Sequence, residues 1–249
     1  MNVIDIKKQY NILDALHEIL YNVLVHGEDT TKDDETVMEY LGNYICIRNP
    51  FPECYEGSNE LSYIEKFIRA IEDGRIDLEH YGIKGIALAE YVKSLDNDNI
   101  VHLTSRDDFV YTYPNRIKSQ FMNGVYSNQL RTIINRLSTC DGTNRAVATI
   151  YNPLLDERIN DIPCLQWIQC TIRNDKLRIH CMFRSNDIYG AWYSNMLFLT
   201  YLAFEIIEML EERNIFVTFD GIEYHSTSAH IYKKDVDDAI KLFKEVGAA

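Results

Sequence analysis

Positive charge is what this 249-residue sequence is short of. Its 25 lysines and arginines stand against 38 aspartates and glutamates, a formal net charge of −13. Non-specific nucleic-acid binding needs a positive field, so the balance argues against it. A small anionic ligand is not excluded, because a few arginines in one place outweigh a distant acidic surface. Metal-ligand spacings are missing too. The cysteines are Cys46, Cys54, Cys140, Cys164, Cys170 and Cys181; none forms CxxC, and the histidine spacings fit no zinc pattern. There is no long apolar run either. The most apolar stretch, NMLFLTYLAFEIIEML, contains Glu205 and Glu208 and is too short and too polar to span a bilayer. The opening MNVIDIKKQYNILDALHEIL has no sustained apolar stretch and no small-residue cleavage site. These absences lead us to expect a cytoplasmic protein with free thiols, no metal and no membrane partner. With no internal repeat, low-complexity tract or linker, residues 1–249 are expected to form a single domain.

What is present alternates between helical and strand periodicity, which predicts an α+β fold. YNILDALHEILYNVLVHGE has apolar residues at helical spacing and stops at Gly27. DTTKDDE reads as a polar loop. TVMEYLGNYICIRNPFP reads as extended, ending at Pro50 and Pro52. LSYIEKFIRAIEDG, IALAEYVKSL and SNQLRTIINRLSTCDG read as helices, DFVYTYPNRI as irregular and RAVATIYNP as a strand. NMLFLTYLAFEIIEMLEERN is a nearly all-apolar helix and therefore a buried one. IFVTFDGIEYHSTSAHIY returns as strands, and KKDVDDAIKLFKEV closes the chain as a helix.

The stretch PCLQWIQCTIRNDKLRIHCMFRSND carries the chemistry. CLQWIQCTI and KLRIHCMF are β-rich halves around a short polar turn. A two-residue Asn174-Asp175 turn places Cys164 opposite Ser185, with Arg184 next to it; a one-residue slip places Arg184 directly opposite. Either register brings a thiol near a guanidinium, which favours the thiolate, the attacking form in covalent catalysis. The plainer reading of Cys164 is a small core hydrophobe, as for Cys170 and Cys181. Arg184 and Ser185 suit a phosphate, one giving a forked charge and the other a hydroxyl donor. They equally suit an exposed strand end.

Taken in order, YNPLLD, PCLQWIQ, IRNDKL, FRSNDIYGAWYSN and SAHIY resemble the thymidylate synthase family over most of the chain. The closest likeness is to the short archaeal-type synthases, and RSND is also the form associated with nucleotide C5-hydroxymethylases. The resemblance implies a large mixed sheet packed with helices, one sheet face forming a homodimer interface. It implies a pyrimidine nucleoside 5′-monophosphate as substrate and 5,10-methylenetetrahydrofolate as co-substrate, with no DNA required. Cys164 matches the nucleophile that attacks C6 of the pyrimidine. Arg184 and Ser185 match phosphate ligands, and Arg145 matches an arginine that reaches across the dimer to the partner's nucleotide. Asp187 matches the aspartate that contacts the folate pterin. Asn195 matches the asparagine that reads the N3 and O4 edge, although an asparagine there could also cap a helix. His230 and Tyr232 match the pair that holds the sugar hydroxyl. Tyr113 matches a tyrosine involved in proton movement at C5. Glu90 matches, most loosely, the glutamate that organises water. Without the resemblance, Tyr113 and Tyr232 read as packing aromatics and His230 as a satisfied strand histidine.

The departures from the family pattern have consequences. Bacterial synthases carry paired arginines where this chain has Asn144-Arg145. Leu165 stands where a histidine usually follows the nucleophile, and Phe183 where a glutamine precedes the Arg-Ser pair. No tryptophan lies between Glu90 and Tyr113, where bacterial enzymes have one that packs on folate and base. The closing EVGAA lacks their hydrophobic folate clamp. The N-terminal phosphate arginine has no clear counterpart, Lys32 being the weak candidate. Asn195 favours uracil, since an aspartate there goes with cytosine in the family. The expected activity is therefore methylation of deoxyuridylate. The alternatives are hydroxymethylation of deoxyuridylate, deoxycytidylate or cytidylate, and a nucleotide- or RNA-binding homologue without catalysis.

Overall fold

A computed structural model describes residues 10–32, 34–52, 61–81, 112–118, 120–122, 125–140, 142–160 and 162–248. Its core element is a six-stranded mixed sheet. The strands are β1 (Glu28–Lys32), β2 (Glu35–Arg48), β5 (Val147–Thr149), β6 (Leu165–Arg173), β7 (Lys176–Asp187) and β8 (Thr218–Tyr232), in the order β1-β2-β8-β7-β6-β5. A separate two-stranded ribbon pairs β3 (Gln120–Met122) with β4 (Val125–Ser127). The helices are α1 (Ile12–His26), α2 (Tyr63–Glu72), α3 (Leu78–Tyr81), α4 (Tyr113–Lys118), α5 (Gln129–Thr139), α6 (Pro153–Asp156), α7 (Trp192–Glu211) and α8 (Val236–Val246). The α+β class and the mixed sheet agree with the sequence reading.

Local chemistry explains the main elements. In α1, Asn11 caps the first turn by accepting from the Asp14 N–H at 2.8 Å. The apolar positions Ile12, Ala15, Leu16, Ile19, Leu20 and Val23 recur at helical spacing, and all are buried. Gly27 ends the helix, because a Cβ there would sit 2.3 Å from the Val23 carbonyl oxygen. A full capping box at Ser62 and Glu65 starts α2. α7 is buried on nearly every side, which explains a sequence with hardly any polar face.

The sheet is antiparallel except between β7 and β8, which run parallel. Parallel neighbours need a crossover of a dozen or more residues, and α7 supplies it. Its 20 residues span roughly 30 Å at 1.5 Å per residue, enough to return the chain along the sheet. Ligand sites in such units form beyond the carboxyl ends of the parallel strands. Here that end holds the last residues of β7, the first turn of α7 and the last residues of β8. The antiparallel neighbours bring their own ends to it: β6 begins there, and β1 and β2 meet there.

The structure corrects several sequence readings. Residues 29–32, expected to be loop, belong to edge strand β1. The end of the aromatic stretch expected to be irregular, residues 113–117, belongs to helix α4. The long apolar helix begins at Trp192 rather than at Asn195, and the returning strands are the one strand β8. The helix expected over IALAEYVKSL, with Glu90, lies outside the described residues.

Strand alternation puts Ile168, Cys170, Ile179, Cys181 and Tyr224 on the buried face. On the other face lie Tyr44, Cys46, Arg48, Trp167, Arg178, His180 and Glu223. Glu223 there accepts from Arg48 at 2.5 Å, pairs with Arg178 at 3.1 Å and accepts a hydrogen bond from the Tyr44 hydroxyl. Burial alone would push its carboxyl up, but these donors and cations outweigh burial and hold it below the ordinary range. Burial, and then the Glu223 charge, push the Cys46 thiol up to about 11.

Candidate active site

The hairpin β6–β7 sets the geometry. Asn174 and Asp175 have φ of 52° and 57°, the left-handed pair that a two-residue type I′ turn requires. From that turn the register runs without a break from Arg173↔Lys176 to Trp167↔Met182, and then shifts between Leu165 and Trp167. Carried on unbroken, the register would have set Cys164 against Ser185. The bulge at Gln166 moves it by one residue, so Leu165 faces Phe183 and the Arg184 N–H donates to the Cys164 carbonyl at 2.8 Å. Of the two registers open from sequence, the bulge selects the one that faces Cys164 with Arg184.

Arg184 then folds back over the residues that precede the thiol. Its Nε donates to the Pro163 carbonyl at 3.1 Å and its Nη2 to the Ile162 carbonyl at 2.6 Å. The guanidinium is thus held beside Cys164 with donors to spare. Cys164 is partly buried, whereas Cys170 and Cys181 are fully buried in the core, as expected. The Tyr113 hydroxyl accepts from the Leu165 N–H at 3.4 Å, which brings α4 to the start of β6. A buried ion pair fixes α4 there: Arg116 donates to Asp156 of α6 at 2.5 Å.

A cationic corner lies beside Arg184. Lys32, at the end of β1, donates to Ser185 Oγ at 3.1 Å and to His230 Nε2 at 2.9 Å. His230 Nδ1 lies 3.3 Å from the same Ser185 oxygen. An ammonium only donates, so Nε2 is the acceptor and the ring proton sits on Nδ1. Burial and then the Lys32 and Arg184 charges lower the His230 pKa to about 3, which keeps the ring neutral. Tyr232 packs edge-on against His230, and Lys32 lies 5.8 Å from its ring centre. Two cations and a hydroxyl in one corner suit an anion, whatever the overall charge of the chain.

Asn195 sits within the first turn of α7, which begins at Trp192 after Ala191, so it is not the helix cap. Its Nδ2 donates to Asn186 Oδ1 at 3.2 Å, and Asn186 Nδ2 donates to the Tyr224 hydroxyl at 3.2 Å. Asp187 accepts from the Gly190 N–H at 2.9 Å and ends β7 beside this turn. Arg145 is exposed just before β5, and its guanidinium has no hydrogen bond to the described residues. The structure therefore gathers Cys164, Arg184, Ser185, Asp187, Asn195, His230, Tyr232 and Tyr113 at one end of the sheet. Arg145 lies apart, and Glu90 is outside the described residues.

Sequence reasoning passed over Asn186 and Tyr224 and gave Lys32 little weight. Asn186 was visible only as a polar letter in RSND, and its burial at the strand end carries no sequence signature. Among the described residues, no helix is long and apolar enough to cross a membrane, and no cluster of His, Cys, Asp or Glu is placed to hold a metal ion.

Cys164 and the anion corner thus lie together at the carboxyl ends of the two parallel strands. Residues 79–246 match the family model for thymidylate synthase. The chain belongs to the thymidylate synthase family and is an enzyme of methyltransferase type. It is 32% identical over 206 residues to a Methanothermobacter marburgensis protein named "Putative thymidylate synthase", covering 83% of this chain and 82% of that one. A protein of the same name from Methanocaldococcus jannaschii is 29% identical over 245 residues, 96% of each chain. Another, from Methanococcoides burtonii, is 27% identical over 240 residues, 96% of this chain and 94% of that one.

Proposed function

We propose that residues 1–249 form one catalytic domain that transfers a one-carbon unit to C5 of a pyrimidine nucleoside 5′-monophosphate, converting deoxyuridylate to thymidylate. The observation that carries this reading is the bulge at Gln166, which sets Cys164 against Arg184 next to the corner formed by Lys32 and Ser185. In the reading, Arg184, Ser185 and Lys32 hold the phosphate, together with Arg145 of the partner subunit. His230 and Tyr232 hold the sugar hydroxyl. Cys164 Sγ, as thiolate, adds to C6; the C5–C6 double bond opens, and its electron pair moves to C5 and O4. Asn195 meets N3–H with its carbonyl and O4 with an amide hydrogen, where charge develops. C5 forms its new carbon bond and gives up its proton, with Tyr113, Glu90 and ordered water serving the transfer. Expulsion of Sγ restores the double bond.

Methylenetetrahydrofolate, when bound, would supply the carbon, whose bond to the folate nitrogen breaks, and for methylation also the hydride, leaving as dihydrofolate. Asp187 fits that co-substrate, because a carboxylate fixed by the Gly190 amide offers an acceptor to the N–H edge of a pterin. The outer sheet face with Trp167 and Tyr44 serves as the homodimer interface. A cytoplasmic setting, where thiols stay reduced, goes with a thiol nucleophile.

The test uses deoxyuridylate tritiated at C5, with methylenetetrahydrofolate. We expect tritium release together with the absorbance rise of dihydrofolate, and loss of both in Cys164→Ala. No release from the wild-type protein sinks the reading. One observation favours a second outcome: no tryptophan lies between Glu90 and Tyr113 to shield the site from water. Tritium release without the absorbance rise would assign hydroxymethylation instead. Nucleotide binding with no release, unchanged by Cys164→Ala, would assign a binding protein.

A further inference from the structure

Lys32 lies across the very nitrogen that the proposed reading gives to the sugar. The His230 ring is 1% exposed, and both of its nitrogens are engaged: Nε2 accepts from Lys32 Nζ at 2.9 Å, and Nδ1 lies 3.3 Å from Ser185 Oγ. A neutral imidazole has one nitrogen lone pair to offer, and opposite an ammonium that lone pair is on Nε2. Lys32 and a sugar hydroxyl therefore compete for one acceptor, and here the ammonium holds it. The Lys32 charge has no counter-ion. Lys233 pairs with Asp29 and Lys234 with Glu35, whereas Lys32 meets no carboxylate among the described residues. Its partners are a hydroxyl and an imidazole, both neutral. An anion in the corner beside Arg184 competes strongly with them, because both members of the new hydrogen bond are then charged. Lys32 ends β1, and its flexible four-carbon stem lets Nζ swing while the strand stays paired to β2.

We propose that Lys32 is a specificity-determining residue that makes recognition of the sugar conditional on the 5′-phosphate: it covers His230 Nε2 until a phosphate held by Arg184 and Ser185 draws it off, and only then can the sugar hydroxyl donate to that nitrogen. This rests on the reading of Lys32 as a phosphate ligand and of His230 as a sugar ligand, and adds that the two roles are linked through one contact. The phosphate and the hydroxyl then bind cooperatively without touching each other, because each favours the same displaced position of Lys32. A nucleoside without the phosphate gives the ammonium nowhere to go. Its hydroxyl must break the Lys32–His230 contact to make its own, so it gains next to nothing from the ring. The site thus rejects nucleosides by more than the phosphate contacts they lack.

The experiment measures Kd for four ligands: deoxyuridylate, its analogue without the 3′-hydroxyl, and the nucleosides deoxyuridine and dideoxyuridine. Calorimetry serves the nucleotides, NMR titration the weaker nucleosides, and thermal melting checks folding. In the wild-type protein, loss of the 3′-hydroxyl weakens the nucleotide about tenfold and the nucleoside by less than about twofold. Lys32→Met keeps the length of the side chain and removes its charge. It weakens deoxyuridylate about tenfold or more, yet tightens deoxyuridine about threefold or more and leaves dideoxyuridine unmoved. A lysine that only holds phosphate, or only supports the strand, gives no such gain when it is removed. A hydroxyl that counts equally in the wild-type nucleotide and nucleoside overturns the proposal, as does a folded Lys32→Met without the gain for deoxyuridine. The wild-type comparison needs no variant, so it decides should Lys32→Met not fold. A wild-type protein that neither binds nor processes deoxyuridylate overturns the proposed function and this inference with it. A wild-type protein that processes deoxyuridylate, with the hydroxyl counting alike in nucleotide and nucleoside, overturns this inference alone.

Discussion

His230 shows how a single residue can couple this site to stability. Burial acts first on its ring, and the Lys32 and Arg184 charges act in the same direction, so its pKa falls to about 3. In the unfolded chain the ring returns to its ordinary value of about 6.5. Below that pH the unfolded chain binds a proton that the native protein refuses, so stability falls as pH drops toward 3. Above about 6.5 the two states bind alike and the contribution is constant. The loss across this window is on the order of a few kcal/mol. Urea unfolding at several pH values should therefore show a steeper acid limb for the wild-type protein than for His230→Asn. Equal slopes would contradict the placement of His230 between Lys32 and Ser185.

At the scale of elements, the site depends on three strands keeping register. Gly221 in β8 lies opposite Arg48 of β2 with φ of 142°, and a Cβ there would come 2.0 Å from the Ile47 carbonyl oxygen. Gly221→Ala must strain the backbone and force β2 away, at a cost of roughly 2 kcal/mol or more. Denaturant melts measure that loss, and a neutral outcome would contradict the β2–β8 register. Much of this layer was legible in the sequence. The Asn174-Asp175 turn, the two halves of the hairpin and the all-apolar crossover helix follow from turn chemistry and periodicity. The bulge was not legible, because one surplus residue leaves the apolar alternation of CLQWIQCTI intact. Edge strand β1 was not legible either: EDTTK has no buried face to mark it. α4, at six residues, is too short to display a period, and it is held by the Arg116–Asp156 pair rather than by an apolar stripe. Asn186 escaped notice because burial of an asparagine at a strand end leaves no mark in the sequence pattern.

The whole molecule, in the proposed reading, is a pair of chains, each completing the other's site. Arg145 is exposed and its guanidinium makes no hydrogen bond to the described residues, as a group destined for the partner's phosphate would. Chains carrying Cys164→Ser and chains carrying Arg145→Ala are each expected to be inactive. Mixed and re-equilibrated, half the dimers are hybrids, and each hybrid holds one site with an intact Cys164 and an intact Arg145. Activity should return to about a quarter of the wild-type level. No recovery, with exchange verified, would place Arg145 outside the site. Charge fits the same picture: a chain of net charge −13 gathers Arg184 and Lys32 at one end of its sheet, around the hydroxyl of Ser185. The central claim is that Cys164 forms a bond to C6 of a uracil nucleotide. Incubation with 5-fluorodeoxyuridylate and methylenetetrahydrofolate blocks the loss of the C5 substituent and traps that bond. Intact-mass spectrometry should show one nucleotide and one folate added per chain, mapped by digestion to the peptide that contains Cys164; an unmodified chain, or an adduct at any other residue, would contradict the account.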